Sequence, residues 1–300
     1  MSRLGFIRTA LFVPGNHPER VDKAVLSAAD LVIIDLEDAV PLAEKTSTRP
    51  LVRAKIEQHS DRLLMVRVNA LDTGLTWADL DQILVAGLDA IMLPKVQRPE
   101  DLDRIHVMLA EMEPTRGFQA GSVAVVPLIE SALAVENAFQ IASLVTSPPR
   151  LYTLAFGAAD YCLDMGIRMS RTGLELVYPR GRIAVACRAA GLDAPLDTPF
   201  MMDLKDQQAL EADALQGKIL GFGGKLCIHP NQLDICNRIF SPSEPEVAFA
   251  SRVISSFEAA EGRGRGAIVV DGKFVDYAIV AQSRRILEIA ARLGIQPKNA

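Results

Sequence analysis

Six short apolar stretches of this 300-residue sequence each hand over to residues able to do chemistry. Residues 10–13 lead into Pro14-Gly15-Asn16-His17, and 31–34 into Asp35-Leu36-Glu37-Asp38. The stretch 63–68 carries Arg67 and is followed by Asn69, and 90–93 ends in Pro94-Lys95. Residues 123–127 lead to Glu130, and 151–156 to Gly157-Ala158-Ala159-Asp160. Glu130 and Asp160 form the sharpest pair, one carboxylate behind each of two consecutive apolar runs. Mg²⁺ dehydrates reluctantly and is usually held by one or two carboxylates together with water and substrate oxygens. Taken singly, Glu130 reads as the acid favoured at a helix N-terminus and Asp160 as an N-cap. Taken with the acidic run 35–38, they read as a site for a hard divalent cation holding an anionic substrate. Arg67 sits in an otherwise apolar run, and a guanidinium that cannot deprotonate must meet a carboxylate there. The sequence leaves two uses open: an ion pair with an acid such as Asp35, or capture of a substrate's anionic oxygen. The small residues Gly157-Ala158-Ala159 let backbone N–H groups approach a carboxylate at a helix N-terminus.

These residues converge only if the apolar runs are neighbouring strands. Near-continuous runs of Val, Ile and Leu are what a parallel sheet buried on both faces requires. Two further runs, 198–202 and 225–228, bring the strands to eight, and amphipathic stretches such as 19–29, 99–112, 131–144, 173–190 and 205–220 separate them. The segment opening Pro99-Glu100-Asp101 has its proline and acids where a first helical turn favours them. Eight βα units within about 230 residues predict a (β/α)₈ TIM barrel, whose working face is the C-terminal end of the strands. A doubly wound open sheet is the competing architecture, since alternation alone does not close a sheet. Past residue 241 the pattern changes to a helix over 246–261, an Asp271-Gly272 hairpin and a final helix over 278–293. The expected division is a catalytic barrel over 1–240 and an appended module over 241–300 that acts as lid and oligomerisation element. Phe240, Val247, Phe249 and Phe257 are read as exposed residues that a neighbouring chain covers.

Composition narrows the function. With 32 basic and 37 acidic residues the formal charge is −5, which argues against nucleic acid as a partner. No run is long enough to span a membrane and no signal peptide is evident, so the expected location is the cytoplasm. Cys162, Cys187, Cys227 and Cys236 have neither zinc-site nor disulfide-framework spacing and read as reduced and buried. Gly221-Phe222-Gly223-Gly224-Lys225 fails as a phosphate loop because Leu226 follows and a strand, not a helix, comes next. His229, before Pro230, reads as a structural hydrogen-bonding residue, and no serine elbow is present.

In order, the sequence contains Leu11-Phe12-Val13-Pro14-Gly15 with Arg20, Asp35-Leu36-Glu37-Asp38-Ala39-Val40, Arg67-Val68-Asn69 and Leu93-Pro94-Lys95-Val96. These are followed by Pro127-Leu128-Ile129-Glu130-Ser131, Phe156-Gly157-Ala158-Ala159-Asp160-Tyr161 and Lys225-Leu226-Cys227-Ile228-His229-Pro230-Asn231-Gln232. This series resembles the citrate lyase β-subunit-like proteins, the family that includes the malyl-CoA and citramalyl-CoA lyases, from about residue 8 to 290.

The resemblance implies a (β/α)₈ barrel and a Mg²⁺-dependent lyase that splits a 3-hydroxyacyl thioester into an acyl-CoA and a 2-oxo acid by retro-Claisen chemistry. It implies Glu130 and Asp160 as metal ligands, Arg67 at the reacting oxygens, and Asp35, Glu37 and Asp38 around the metal's waters. Phe12, Pro14, Arg20, Lys23 and Lys95, with Gly157, Ala158 and Ala159, are the implied contacts to substrate and to the coenzyme A or acyl-carrier thioester. Gly272-Lys273-Phe274-Val275-Asp276 is similar to a family motif that carries a proton-transferring acid, which implies Asp276; Tyr277 departs from the proline usual near that position. The resemblance also implies a homotrimer or hexamer; because Asp276 belongs to a module appended after the barrel, which can reach its own barrel mouth or the next one, it is expected to serve a neighbouring subunit. Competing activities are a malate synthase-like condensation, a thioesterase, or a carrier-binding subunit of a citrate lyase complex. A class II pyruvate aldolase is disfavoured, because Asp38 stands where those proteins resemble one another in a histidine base.

Overall fold

The computed structural model describes residues 3–262 and 264–295. Eight parallel strands close into a barrel: β1 (Thr9–Pro14), β2 (Leu31–Asp35), β3 (Leu64–Arg67), β4 (Ala90–Leu93), β5 (Ala124–Ile129), β6 (Ala155–Phe156), β7 (Leu196–Asp197) and β8 (Gly224–Cys227). Closure is made by β1 against β8, with Ala10 beside Leu226, which excludes the open sheet. Every residue of β2, β4, β5 and β8 is buried, as strands covered on both faces must be.

Side chains alternate across a strand, and one set fills the barrel interior. Ala10, Leu31, Ile33, Met65, Ala90, Met92, Ala124, Val126, Leu128, Ala155, Leu196 and Leu226 pack into one cluster, with Phe12 against it. Within each strand these positions differ by two, so the next inward position toward the C-terminal end is fixed. It falls on Asp35, Arg67, Glu130 and Ile228.

The helix Pro99–Thr115 begins as its sequence predicts, with proline in its first turn and the Asp101 carboxylate accepting from the N–H groups of Gln97 and Arg98. Its end is tied down by Glu113, which is fully buried and paired through both oxygens with Arg150 at 2.6 Å. Burial pushes the Glu113 pKa up, but the Arg150 guanidinium and the N–H groups of Gly121 and Val123 outweigh it, so the net shift is downward. A lowered carboxylate pKa contributes stability above the unfolded-state value, and that stability is lost as pH falls through the folded one. Glu113→Gln should therefore cost about 3 kcal/mol in thermal unfolding at pH 7, because it strands a buried guanidinium. The gap from wild type should narrow only once the pH falls below the ordinary glutamate range, where the native carboxylate, its pKa held down by Arg150, also protonates.

One strand differs from the sequence expectation. β7 lies at Leu196–Asp197 and not over 198–202, because the Thr198 hydroxyl is committed to the Ala158 N–H and Pro199 has no N–H to continue a ladder. A charge cluster lies behind this short strand. Arg180 donates to both oxygens of Asp197 and to Asp213, while Lys225 lies 2.7 Å from each of the same two acids. Arg180, Asp197 and Lys225 are fully buried. A Cβ on Gly217 would lie 2.6 Å from Asp197 Oδ2, so a helix glycine makes room for the carboxylate.

The chain divides into two compact units, Met1–Asn237 and Arg238–Ala300. The second contains the helix Glu244–Glu261, the hairpin β9 (Ile268–Val270) and β10 (Lys273–Val275), and the helix Tyr277–Arg292. Val253, Phe257, Val270, Val275 and Val280 form its own core, with Phe249 against it. Phe240, Val247 and Phe257 are buried by the chain itself. This corrects the expectation that these aromatic and aliphatic residues wait for a neighbouring chain. The four cysteines are buried free thiols, and among the described residues no helix is long and apolar enough to cross a membrane.

Candidate active site

A cavity of about 430 Å³ opens at the C-terminal end of the barrel. Asp35, Arg67, Glu130 and Ile228 line it together with Phe12, Pro14, Asp38, Leu128, Leu226 and residues 157–160. The inward alternation of the strands thus places one polar layer directly above an apolar barrel core.

In the register of β2 against β3, Asp35 is the partner of Arg67. Both Asp35 oxygens accept from the guanidinium, Oδ1 from Nε at 2.7 Å and Oδ2 from Nη2 at 2.6 Å. They also accept from the N–H groups of Glu37 and Ala39. Asp35 is therefore saturated by the protein and fixes Arg67 in place. The third guanidinium nitrogen, Nη1, lies 3.1 Å from Glu37 Oε2 and 3.6 Å from Asp38, and the group stacks over the Phe12 ring at 4.9 Å. Of the two uses of Arg67 left open by the sequence, the ion pair with Asp35 is present, and the guanidinium also lines the cavity.

Glu130 follows β5 and is 6% exposed. Its Oε1 accepts from the Lys95 N–H at 2.6 Å, and its Oε2 lies where a Cβ on Gly157 would be 2.8 Å away. Only glycine lets the chain after β6 approach this carboxylate so closely. Asp160 sits in the short helix Ala158–Asp164, with Oδ2 at 3.2 Å from Lys95 Nζ. Glu130 Oε2 and Asp160 Oδ1 have no hydrogen-bond donor among the described residues. Burial, opposed by Lys95, pushes the Glu130 pKa up to about 8; burial also raises that of Glu37 despite Arg67 and Lys95. A buried carboxylate in this condition is one that a further cation would stabilise.

Among the described residues there is no cluster of three or more His, Cys, Asp or Glu side chains fit to hold a metal ion by itself. Two carboxylates with one free oxygen each, beside open cavity, are instead a partial donor set that water and substrate oxygens must complete. That is the coordination habit of Mg²⁺ and not of zinc.

The remaining expected residues are spread over several places. Gly157, Ala158 and Ala159 line the cavity, but the Gly157 N–H is spent on Ile129 and that of Ala158 on Thr198. Lys95 lines a second cavity of about 470 Å³ that shares Glu130 and Asp160 with the first. Arg20 and Lys23 are exposed on the helix Pro18–Val25 and line neither cavity. In the second unit, Asp276 is the N-cap of the final helix, its Oδ1 accepting from the N–H groups of Ala278 and Ile279. His229 has the structural role expected, accepting from the Asn231 N–H. Sequence reasoning missed Thr198, Pro199 and Met201 as cavity wall; the displaced β7 hid them, and Pro199 was the available signal for where that strand stops.

A closed barrel with acids and fixed cations gathered at its strand ends is the architecture of a barrel enzyme. The chain belongs to the HpcH/HpaI aldolase/citrate lyase family, whose sequence model matches residues 8–230. It is 37% identical over 285 residues to the citrate lyase subunit beta of Leuconostoc mesenteroides subsp. cremoris, covering 94% of this chain and 93% of that one. It is 36% identical over 289 residues to a (3S)-malyl-CoA thioesterase of Cereibacter sphaeroides, covering 96% and 95%. Among solved structures, protein CitE of Mycobacterium tuberculosis in complex with magnesium, acetoacetate and coenzyme A superposes with a TM-score of 0.75 at 28% identity. That match covers 96% of this chain and 99% of the other.

Proposed function

We propose that the protein is a Mg²⁺-dependent carbon–carbon lyase that cleaves a 3-hydroxyacyl thioester, citramalyl-CoA, malyl-CoA or a related compound, into an acyl-CoA and a 2-oxo acid. The observation that carries this reading is the pair of donor-free oxygens on Glu130 and Asp160, facing the same cavity as an arginine that Asp35 holds rigid. Glu130 and Asp160 would hold the cation, which when bound supplies Lewis-acid stabilisation of the substrate's hydroxyl and carboxylate oxygens, typically several kcal/mol.

The chain's own residues account for the rest. When the bond between the hydroxyl-bearing carbon and the thioester α carbon breaks, its electron pair moves to the thioester oxygen. Arg67, held on two of its three nitrogens by Asp35, is a fixed charge for that enolate and needs no reorganisation. The hydroxyl loses a proton and the α carbon gains one, so the step is proton-neutral overall. Leu128, Ala158, Pro199 and Met201 give the cavity apolar walls that limit water at the enolate. Phe12 and Pro14 border the acyl end, while exposed Arg20 and Lys23 offer positive charge to the phosphates of coenzyme A.

Asp276 is proposed as the acid that protonates the enolate carbon, in a homotrimer or hexamer where it serves a neighbouring barrel. Its capping role separates two effects of mutation. Serine caps a helix about as well as aspartate, so Asp276→Ser should keep the melting temperature and lose about a hundredfold in turnover. Recovered turnover on mixing Asp276→Ser with Arg67→Ala would support a site shared between chains; a fully active monomer in sedimentation would overturn that arrangement.

The thioesterase relative motivates a second reading, hydrolysis of the same thioesters, which releases a free thiol and no 2-oxo acid. Purified protein with Mg²⁺ and a panel of 3-hydroxyacyl-CoA thioesters distinguishes the two. The expected result is 2-oxo acid and acyl-CoA in equal amounts, abolished by chelation of the metal. Thiol release without 2-oxo acid would replace the lyase by the hydrolase.

A further inference from the structure

Lys95 is one of two non-glycine residues with positive φ among the described residues, at 54°. The other, Asp271, is in the Asp-Gly hairpin turn. A left-handed backbone is unfavourable for a side chain as long as lysine, and here it has an evident use. It turns the Lys95 N–H onto Glu130 Oε1 at 2.6 Å while the side chain runs to Glu37 Oε1 at 2.9 Å and Asp160 Oδ2 at 3.2 Å. One residue thereby ties together three acids that follow β2, β5 and β6. Lys95 lines the second cavity, which shares Glu130 and Asp160 with the first, and it meets Arg67's partner Glu37 through that residue's other oxygen.

We infer that Lys95 is a resident counter-cation. Its ammonium holds Glu37 and Asp160 together before the divalent cation arrives, and its charge lowers the affinity of the site for that cation. This rests on Glu130 and Asp160 being the metal pair. Glu37, Glu130 and Asp160 carry three negative charges when ionised, and Lys95 cancels one of them at contact distance. Removing it leaves a stronger field for an incoming divalent ion and a less stable metal-free protein. Its role is to position acids and tune binding, and it does not touch the reacting carbon.

Calorimetric Mg²⁺ titration of the full chain without thioester tests this, with Mn²⁺ titration followed by electron paramagnetic resonance as a parallel measurement. Lys95→Met should bind either ion about tenfold more tightly than wild type, as expected for removing a like charge near the ion. It should also melt at a lower temperature without metal and gain more on Mg²⁺ addition. Lys95→Gln gives the same comparison should the methionine variant fail to fold, and Lys95→Arg, which keeps the charge, should stay close to wild type. Equal or weaker binding by the neutral variants would overturn the inference while leaving the metal pair intact. If Glu130→Gln binds Mg²⁺ as wild type does, the metal assignment itself fails and the role of Lys95 falls with it.

Discussion

Replacing Asp160 by asparagine is expected to leave a folded barrel whose turnover falls by at least about a thousandfold, on the scale of losing charge stabilisation at the reacting oxygens. Asp160 is partly exposed and, among the described residues, its side chain pairs with Lys95 alone, so the substitution breaks no buried network and stability should change little. Mg²⁺ affinity should fall in the same variant, and Glu130→Gln should repeat both losses. Calorimetry and turnover must move together here. An Asp160→Asn protein with normal Mg²⁺ binding and normal turnover would place the cation elsewhere and remove the basis of the proposed chemistry.

Arg67→Lys is the second large effect. The charge survives, yet a lysine is a single point charge and cannot lie along both oxygens of Asp35 while still facing the cavity. The expected outcome is a fall of about a hundredfold or more in kcat with a smaller change in KM, because the missing interaction is made chiefly in the transition state. Melting should also shift, since the Asp35 carboxylate is buried and loses its paired donors. Near-normal kcat in a folded Arg67→Lys protein would reduce Arg67 to a structural partner of Asp35.

Much of this was legible before any coordinates. Apolar runs with period-two spacing lead from Ile33 to Asp35 and from Met65 to Arg67, so the polar layer over the barrel core is written in the strands. Glu130, directly after β5, and Asp160, in the first turn of the helix that follows β6, were legible as acids of the barrel mouth because an acid so close behind a buried strand has few other places to go. Lys95 as a bridge between three acids was not legible. Its geometry depends on a positive φ that lysine rarely adopts and on a long side chain whose reach the sequence does not fix. β7 was obscured because Asp197, a buried charge, interrupts the apolar signal on which strand recognition relies. The second unit was judged by its aromatic residues, which looked like uncovered surface. Phe257 is in the core of a small unit, with Phe249 packed against it, and the helix–hairpin–helix pattern had already outlined that unit.

The seam of the barrel around β6 and β7 is only two residues deep in each strand, and it is fastened from behind by Arg180, Asp197, Asp213 and Lys225. Two positive and two negative charges cancel there, three of them fully buried and Asp213 only slightly exposed, so salt will do little to loosen the fastening. Loss of any one member leaves a stranded charge, at a cost of about 3–5 kcal/mol. In a saturation mutagenesis screen these four positions will therefore look as intolerant as the carboxylates of the cavity, though none of them meets a substrate. A map of intolerance will trace two separate patches on one barrel, and only a readout that divides activity by the amount of folded protein will tell the reactive patch from the rivet.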